Sequence, residues 1–333
     1  MTRHGNAVFY GDEHIDDYRG HLYGLAIDLG TTTIVLELID LETGAGVHMS
    51  SFENPQRYGG SDVMNRISYD AQHPHELRRT LVKALNHEIQ YLCNRYNFVR
   101  QEIYEIVVAG NSTMRDILFR LDVQSIGQKP YKSLIEHEYL DGLRDKTSLT
   151  ETARRIGLRA NPKARIYSLP LIASHVGADV AADLVAVGMD QQSESAMLVD
   201  VGTNTEVVIA HEGRLVAASC PAGPAFEGGG ITYGMPGYRG AIESIRWEND
   251  TWHWSTIGDI APEGLCGSGL IDLLAELRRH DLMTPKGVFA DKLRQLDLVP
   301  EHGITFSRLD ASNLAQACLL YTSPSPRDGL LSR

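Results

Sequence analysis

The sequence is poor in cysteine and in long apolar stretches, and both shortages exclude whole classes of protein. Its 333 residues include four cysteines, which lie far apart with no C-x-x-C spacing. A disulfide framework or a structural zinc site is therefore not expected, and a reducing, cytoplasmic setting fits best. No apolar run approaches the roughly 18 residues that a membrane-spanning helix requires, so no membrane partner is expected.

Positive charge is also scarce. The chain has 31 Lys and Arg residues against 43 Asp and Glu, which gives a formal net charge of −12. No basic stripe compensates for this acidity, so a nucleic-acid partner is not expected. Apolar residues make up 43% and charged residues 22%, as in soluble globular proteins, and the length predicts two domains.

Two similar segments lie 172 residues apart, which is the difference between positions 200 and 28. Residues 22–28 and 33–40 are predicted strands on either side of a short loop, with a third strand around residues 47–52. The same order returns in AMLVD, EVVIA and LVAASC after residue 195. Because DLGTTTIVLEL aligns with DVGTNTEVVIA within matching three-strand meanders, we infer an internal duplication.

Each copy of this pattern carries a loop whose residue types suit a phosphate and a metal ion. In the first copy the carboxylate of Asp28 can hold Mg²⁺ directly or through water, and Gly30 permits a sharp turn. The N–H groups and hydroxyls of Thr31, Thr32 and Thr33 would then donate to phosphate oxygens. The second copy repeats these groups in Asp200, Gly202, Thr203, Asn204 and Thr205. One such loop alone could be a tight hairpin turn, but two favour a nucleotide with its metal.

Helical patterns separate the predicted strands. Leucines and an isoleucine at three- or four-residue spacing predict an amphipathic helix from about Glu76 to Cys93. A strand over 103–110 is followed by a helix that begins at Asn111 or Ser112, and another helix is predicted from Ser174. Strands and helices alternating in this order indicate an α/β architecture. We place the boundary between the halves after a polar stretch, giving domains of residues 22–165 and 166–317.

A glycine-rich turn opens the last clear helix. Gly264, Gly267, Ser268 and Gly269 precede a leucine stripe, and the unpaired N–H groups of such a helix start suit phosphate or ribose. Glycine-rich caps are common, so this signal alone is weak. The turn matches neither the G-x-x-x-x-G-K-S/T loop nor the dinucleotide-binding G-x-G-x-x-G pattern.

Together these motifs resemble the actin/Hsp70/sugar-kinase ATPase superfamily and, more narrowly, the reductive activators of corrinoid proteins. The stretches that carry the resemblance are YGLAIDLGTTT, NPQRYGGSDVMNRI, VVAGNSTM, LPLIASHVGADV, LVDVGTNTEVVI, CPAGPAFEGGGI and EGLCGSGLIDLL. The resemblance implies two ribonuclease-H-like halves around a nucleotide cleft. It also implies that ATP and Mg²⁺ drive reduction of a partner's Co(II) corrinoid to Co(I), with electrons from an iron–sulfur donor.

The resemblance also suggests further site residues. Asn111 and Asp179 are carried over as residues that line the nucleotide cleft, against the alternative that they only cap helices. Glu206 directly follows the second loop and could orient water, or it could be an exposed strand residue. The partner would be a corrinoid protein or a cobalamin-dependent methyltransferase, and a homodimer is left open.

The two ends of the sequence depart from that family. No C-x₄-C-x₂-C cluster is present, so no iron–sulfur cluster is expected in this chain. Residues 1–21 are interpreted as the remnant of a linker, and the second half as incomplete. Residues 318–333 break the helical pattern and are interpreted as a non-native tail, against a disordered natural tail as the alternative.

Three other functions remain open at this level. A small-molecule kinase would use the same loops but needs a base near a substrate hydroxyl, and the sequence shows none. A nucleotide-gated binding module without turnover would leave the same motifs. An activator of a radical dehydratase would need a bridging cluster, for which Cys220 and Cys266 are poor candidates.

Overall fold

A computed structural model describes residues 1–191, 194–285, 287–290 and 293–319 of the chain. Within these ranges the chain forms both β-strands and α-helices. The strands are β1 (Thr2–His4), β2 (Ala7–Tyr10), β3 (Glu13–Asp17), β4 (Tyr23–Leu29), β5 (Thr33–Asp40), β6 (Gly46–Glu53), β7 (Ile103–Ala109), β8 (Leu149–Thr152), β9 (Arg165–Ser168), β10 (Ala196–Val201), β11 (Asn204–His211), β12 (Arg214–Pro221), β13 (Ala241–Glu248), β14 (Thr251–Thr256), β15 (Gly264–Leu265), β16 (Gln295–Val299) and β17 (Ile304–Ser307). The helices are α1 (Val63–Gln72), α2 (Glu76–Tyr96), α3 (Ser112–Leu118), α4 (Leu134–Leu140), α5 (Ala153–Ile156), α6 (Ala178–Ala186), α7 (Gly267–Arg279) and α8 (Arg308–Leu319).

The chain divides into two compact units. The first comprises residues 1–197 with 208–217, and the second comprises residues 198–207 with the described residues from 218 onward. The expected boundary at residues 165/166 differs from this division, because β9 pairs in parallel with β7 and so belongs to the first unit. The polar stretch before β9 contains the strand β8 and the helix α5, which are too short to produce a clear periodicity in the sequence.

The first unit is built on a six-stranded sheet with the order β6-β5-β4-β7-β9-β8. Strands β4 and β5, and β5 and β6, are antiparallel, whereas β7 lies parallel to β4 and β9 parallel to β7. The predicted meander is present as β4-β5-β6, parallel strands extend it as in a ribonuclease-H-like half, and the α/β fold class is confirmed. Strand β5 forms because apolar residues alternate, with Ile34, Leu36 and Leu38 fully buried.

Helix α2 covers this sheet with the leucine stripe seen in the sequence. Leu77, Leu81, Leu85 and Leu92 are fully buried within the core of the first unit. The helix runs three residues beyond the predicted end, to Tyr96, and ends where Asn97 adopts a left-handed conformation with φ 52°. Asparagine tolerates that conformation, which makes it a suitable helix stop.

The first 21 residues, interpreted from the sequence as the remnant of a linker, have regular secondary structure. They form an antiparallel three-stranded sheet, β1-β2-β3. Val8 and Ile15 of this sheet are buried in a small cluster with Leu22 and Tyr104. Left-handed glycines at Gly5 and Gly11 make the turns between the strands.

The helix predicted from Ser174 begins later. Residues 173–176 form a turn closed by paired bonds between Ala173 and Val176, and α6 starts at Ala178 after Gly177. Val176 and Val180 are buried, whereas Val187 is 49% exposed. Gly177, whose backbone is extended, is therefore the N-cap of α6, in place of the predicted Ser174.

The second unit has its own core around β13, β14, β15 and α7. Ile242 and Ile245 of β13 pack with Leu270 and Leu273 of α7. Trp247 and Trp252 face each other across the β13–β14 hairpin with ring centroids 4.7 Å apart.

The meander β10-β11-β12 has the same sequential order as β4-β5-β6. Its strands lie where the sequence predicts them. The interpretation of the chain end as a non-native tail concerns residues 318–333, and residues 320–333 lie outside the described residues. In the part of the chain that is described, no helix is both long and apolar enough to cross a membrane.

Candidate functional site

The first loop follows the strand at the centre of the six-stranded sheet. Asp28 is the penultimate residue of β4, is exposed, and lies opposite Ala109 of the parallel strand β7. A Cβ atom on Gly30 would stand 2.4 Å from the carbonyl oxygen of Thr33, so the turn into β5 requires glycine. Thr31 is 6% exposed, and Thr32 and Thr33 are half-buried. The loop is therefore tight, and Asp28 stands at its entrance.

Asn111 brings the end of β7 to this loop. Its side-chain nitrogen Nδ2 donates to Thr31 Oγ1 over 2.9 Å, and its oxygen Oδ1 accepts from the backbone N–H of Met114 over 3.0 Å. Different atoms of one side chain thus cap α3 and contact the first loop, while the predicted role of Asn111 in lining a nucleotide cleft stays a prediction.

The start of α6 reaches the same sheet edge. The N–H of Ala178 donates to the carbonyl of Gly110 over 3.0 Å. A Cβ atom on Gly177 would lie 2.7 Å from the Cα of Asn111, so the two segments touch through their backbones. Asp179 stands in the first turn of α6, where its Oδ1 accepts from the N–H of Val180. Residues predicted from three separate segments therefore meet at one edge of the first unit.

The second loop is closed by its own contacts in the second unit. The N–H of Gly202 donates to the carbonyl of Asn204, and the carbonyl of Thr203 accepts from Ala222 and Gly223. Thr203 Oγ1 also donates to Glu227 Oε2 over 2.7 Å. Glu227, which comes from the glycine-rich stretch GPAFEGGG, is thus brought to the loop that follows Asp200.

Two family models match the chain. The RACo middle region matches residues 23–192, and the C-terminal domain of RACo, the ASKHA domain, matches residues 194–317. The chain belongs to the RACo family. The description ASKHA corresponds to the actin-like ATPase type of domain inferred from the sequence.

Individual relatives agree with this family. The corrinoid activation enzyme RamQ of Eubacterium limosum is 34% identical over 271 residues, covering 80% of this chain and 44% of RamQ. The Co(II) methylated amine-specific corrinoid protein reductase of Methanosarcina barkeri is 24% identical over 235 residues, covering 69% of this chain and 42% of the reductase. The solved structure of a reductive activator for corrinoid, iron–sulfur protein superposes with a TM-score of 0.77 at 32% identity, covering 88% of this chain and 49% of that one. The chain thus spans less than half the length of these RACo relatives.

Glu206 does not lie on an exposed strand surface. Its side chain is 8% exposed and accepts a hydrogen bond from Ser219 Oγ over 2.7 Å, between β11 and β12. The exposed alternative is therefore wrong, and a hydrogen-bonded carboxylate stands directly after the second loop. Thr205, beside it, is also buried.

The glycines at the start of α7 have a packing role in this RACo chain. A Cβ atom on Gly264 would stand 2.4 Å from the carbonyl of Tyr233, and one on Gly267 2.6 Å from the carbonyl of Phe226. On Gly269 it would stand 2.2 Å from the carbonyl of Ile242. Their close backbone contacts explain the glycine pattern without a ligand, whereas Ser268 is exposed at the helix start.

Sequence reasoning missed two buried side chains behind the first loop. Asn54 Nδ2 donates to the carbonyl of Gly30 over 2.8 Å, and Arg66 Nη2 donates to the carbonyl of Thr31 over 2.5 Å. Both residues lie within NPQRYGGSDVMNRI, a stretch that carried the family resemblance but no assigned role. A buried polar side chain that binds a distant backbone leaves no periodic signal.

The carboxylate oxygens of Asp28 and Asp200 are of the ligand type that magnesium prefers. Among the described residues, no group of three or more His, Cys, Asp or Glu side chains could hold a metal ion. Mg²⁺ is commonly bound through one or two carboxylates, phosphate oxygens and water, without a full protein cage. Single aspartates at the two loops match that mode of binding.

Proposed function

We propose that this chain binds Mg·ATP and takes part in the ATP-dependent reductive activation of a corrinoid protein. The observation that carries the proposal is the meeting of the first loop, Asn111 and Asp179 at one sheet edge in a chain of the RACo family. The names of RamQ and of the Methanosarcina barkeri reductase, which both refer to corrinoid activation or reduction, support the substrate class.

The proposed site residues follow from the chemistry of each loop. Asp28 and Asp200 would hold Mg²⁺, mostly through water, because carboxylate oxygens are its preferred protein ligands. The phosphates would be bound by N–H and hydroxyl groups of Gly30, Thr31, Thr32, Thr33, Gly202, Thr203, Asn204 and Thr205. Asn111 would support the first loop, and Ser268 would offer a hydroxyl beside the glycines of α7.

Hydrolysis needs a group that orients the attacking water, as in other phosphoryl-transfer sites. Asp179 and Glu206 are the proposed groups. The carboxylate of Glu206 is fixed by Ser219, so it could align water without itself moving.

Nucleotide turnover would serve an electron transfer that is uphill. One electron passes from an iron–sulfur donor to the partner's Co(II), which becomes Co(I). Each 59 mV of uphill one-electron transfer costs about 1.4 kcal/mol. We propose that ATP binding and hydrolysis change the conformation of the chain. The change in conformation would alter which redox state of the corrinoid partner the chain binds more tightly.

Phosphate release measured with and without a Co(II) corrinoid protein tests this proposal. We expect slow release from the chain alone, faster release with the partner, and Co(I) absorbance only when ATP and a low-potential reductant are both present. Rapid turnover on a sugar or acetate without a corrinoid partner would instead identify a small-molecule kinase. ATP binding without any release under either condition would indicate a nucleotide-gated binding module.

A further inference from the structure

Three successive carbonyl groups of the first loop accept hydrogen bonds from two residues, Asn54 and Arg66. The carbonyl of Gly30 accepts from Asn54 Nδ2, and that of Thr31 accepts from Arg66 Nη2. The carbonyl of Thr32 accepts from the backbone N–H of Asn54 over 2.7 Å. The side chain of Asn54 is fully buried and Arg66 is 1% exposed, so water does not compete for these bonds.

The direction of the carbonyls sets the direction of the N–H groups. In a trans peptide the C=O of one residue and the N–H of the next point to opposite sides of the chain. With three carbonyls directed toward Asn54 and Arg66, the N–H groups of Thr31, Thr32 and Thr33 are directed to the opposite side. Successive N–H groups that share a direction make a concave site for an anion.

We propose that Asn54 and Arg66 are positioning residues that orient this loop for a phosphate group of the nucleotide. The inference rests on the proposed nucleotide binding and extends it to two residues that do not touch the ligand. They act through the backbone, by holding the carbonyl oxygens away from the phosphate, which those oxygens would repel.

Both side chains are themselves fixed by second contacts. Asn54 Oδ1 accepts from the N–H of Gln56 over 2.9 Å, which fixes the amide plane and leaves Nδ2 for Gly30. Arg66 Nε donates to the carbonyl of Gly60 over 3.0 Å while Nη2 holds Thr31. The planar guanidinium bridges two carbonyls at once, and a lysine ammonium cannot reproduce that fork.

The sharpest variant is Asn54→Asp, which keeps the acceptor for Gln56 but replaces the donor to Gly30 with a carboxylate oxygen. Asn86→Asp is the matched control, because Asn86 Nδ2 also donates to a glycine carbonyl, that of Gly157 over 2.9 Å, while its Oδ1 accepts from Arg159. Titration calorimetry with ATP and with adenosine, under magnesium, gives the readout. A residue that only stabilises the fold would change both affinities together.

We expect Asn54→Asp to weaken ATP binding by about tenfold or more, which corresponds to about 1.4 kcal/mol, with adenosine binding unchanged. Asn54→Ala and Arg66→Lys, which add no negative charge, should weaken ATP in the same selective way, and Asn86→Asp should weaken neither ligand. Unchanged ATP affinity in Asn54→Ala and Arg66→Lys, alongside a wild type that binds ATP, would overturn the inference. A wild type that does not bind ATP would instead refute the proposed function itself.

Discussion

The side-chain amide of Asn111 links two strands of the central sheet by donating to the hydroxyl of Thr31, 80 residues earlier in the chain, over 2.9 Å. The same side chain caps α3 through its oxygen. One residue therefore couples the loop after β4 to the helix after β7. Its two bonds use different atoms, so substitutions can separate them.

Asn111→Ser should preserve the helix cap and remove the bond to Thr31. Serine caps helices about as well as asparagine, whereas alanine at a cap costs about 0.5–2 kcal/mol. We therefore expect Asn111→Ser to leave stability near that of the wild type but to weaken ATP binding. Asn111→Ala should show both losses, measured by urea unfolding and by calorimetric titration. Equal ATP affinity in the wild type and Asn111→Ser would remove Asn111 from the site.

Asp200→Asn should abolish Mg·ATP binding or hydrolysis, because an amide cannot supply the negative charge that Mg²⁺ requires. Asp28→Asn tests the first loop in the same way. Phosphate release and ATP affinity are measured across a range of magnesium concentrations. Asp297→Asn, an exposed substitution on β16, is the matched control and should change neither quantity. If Asp200→Asn keeps the wild-type rate and affinity, Asp200 does not take part in the site.

Gly269→Ala should destabilise the second unit, because the added Cβ would stand 2.2 Å from the backbone carbonyl of Ile242. Overpacking of this kind costs about 1–3 kcal/mol. Gly237→Ala is the matched control, since its Cβ would meet only Ile257 Cδ1 at 3.6 Å, an ordinary contact. All three tryptophans lie in β13 and β14, so their fluorescence reports unfolding of this unit. Equal midpoints for the two variants would show that α7 can shift to admit a side chain.

A substitution at Ser268 tests ligand binding at the start of α7 without disturbing the packing of the neighbouring glycines. Ser268 is exposed, and surface substitutions usually change stability by less than about 0.5 kcal/mol. Ser268→Ala should therefore fold like the wild type. Lower ATP affinity of the Ser268→Ala variant would support ligand binding at the start of α7. Unchanged affinity would mean that the glycine-rich helix start serves packing only.

Prediction from the sequence was most accurate where apolar residues repeat with a single regular spacing. Strand β5 was predicted with its observed ends, since Ile34, Leu36 and Leu38 alternate with half-buried residues on a single buried face. The loop after Asp28 could be singled out in the sequence because its motif occurs twice. The duplication supplied the evidence that one copy could not.

The positions that sequence reasoning missed depend on contacts between distant segments. Arg66 looks like any surface arginine of an amphipathic helix, and only the folded chain shows that it binds the carbonyl of Thr31. Strand β9 has only four residues and follows a polar stretch of the sequence, and its membership of the first unit is set by pairing with β7. Such pairing follows from tertiary structure and leaves no local signal.

Asp310 should make the stability of the second unit sensitive to acid. Its carboxylate is 1% exposed and accepts hydrogen bonds from the N–H and hydroxyl groups of both Thr232 and Ser307. Burial alone raises the pKa of Asp310, but the bonds from Ser307 and Thr232 outweigh it and hold the pKa below its ordinary value of 3.8. A lowered pKa means that the folded form favours the charged carboxylate. Its stabilising contribution is therefore complete above pH 3.8 and is lost as the pH falls through the folded-state pKa.

Asp310→Asn should accordingly cost about 1–3 kcal/mol at neutral pH, because buried donors lose their acceptor. The difference from the wild type should shrink as the pH falls below 3.8, because Asp310 then gains a proton in the unfolded chain before it does so in the folded one. Urea unfolding followed by tryptophan fluorescence between pH 7 and pH 3 measures both effects, with the exposed Asp297→Asn as the control. A difference that stays constant over this range would mean that the carboxylate contributes through its shape and not through its charge.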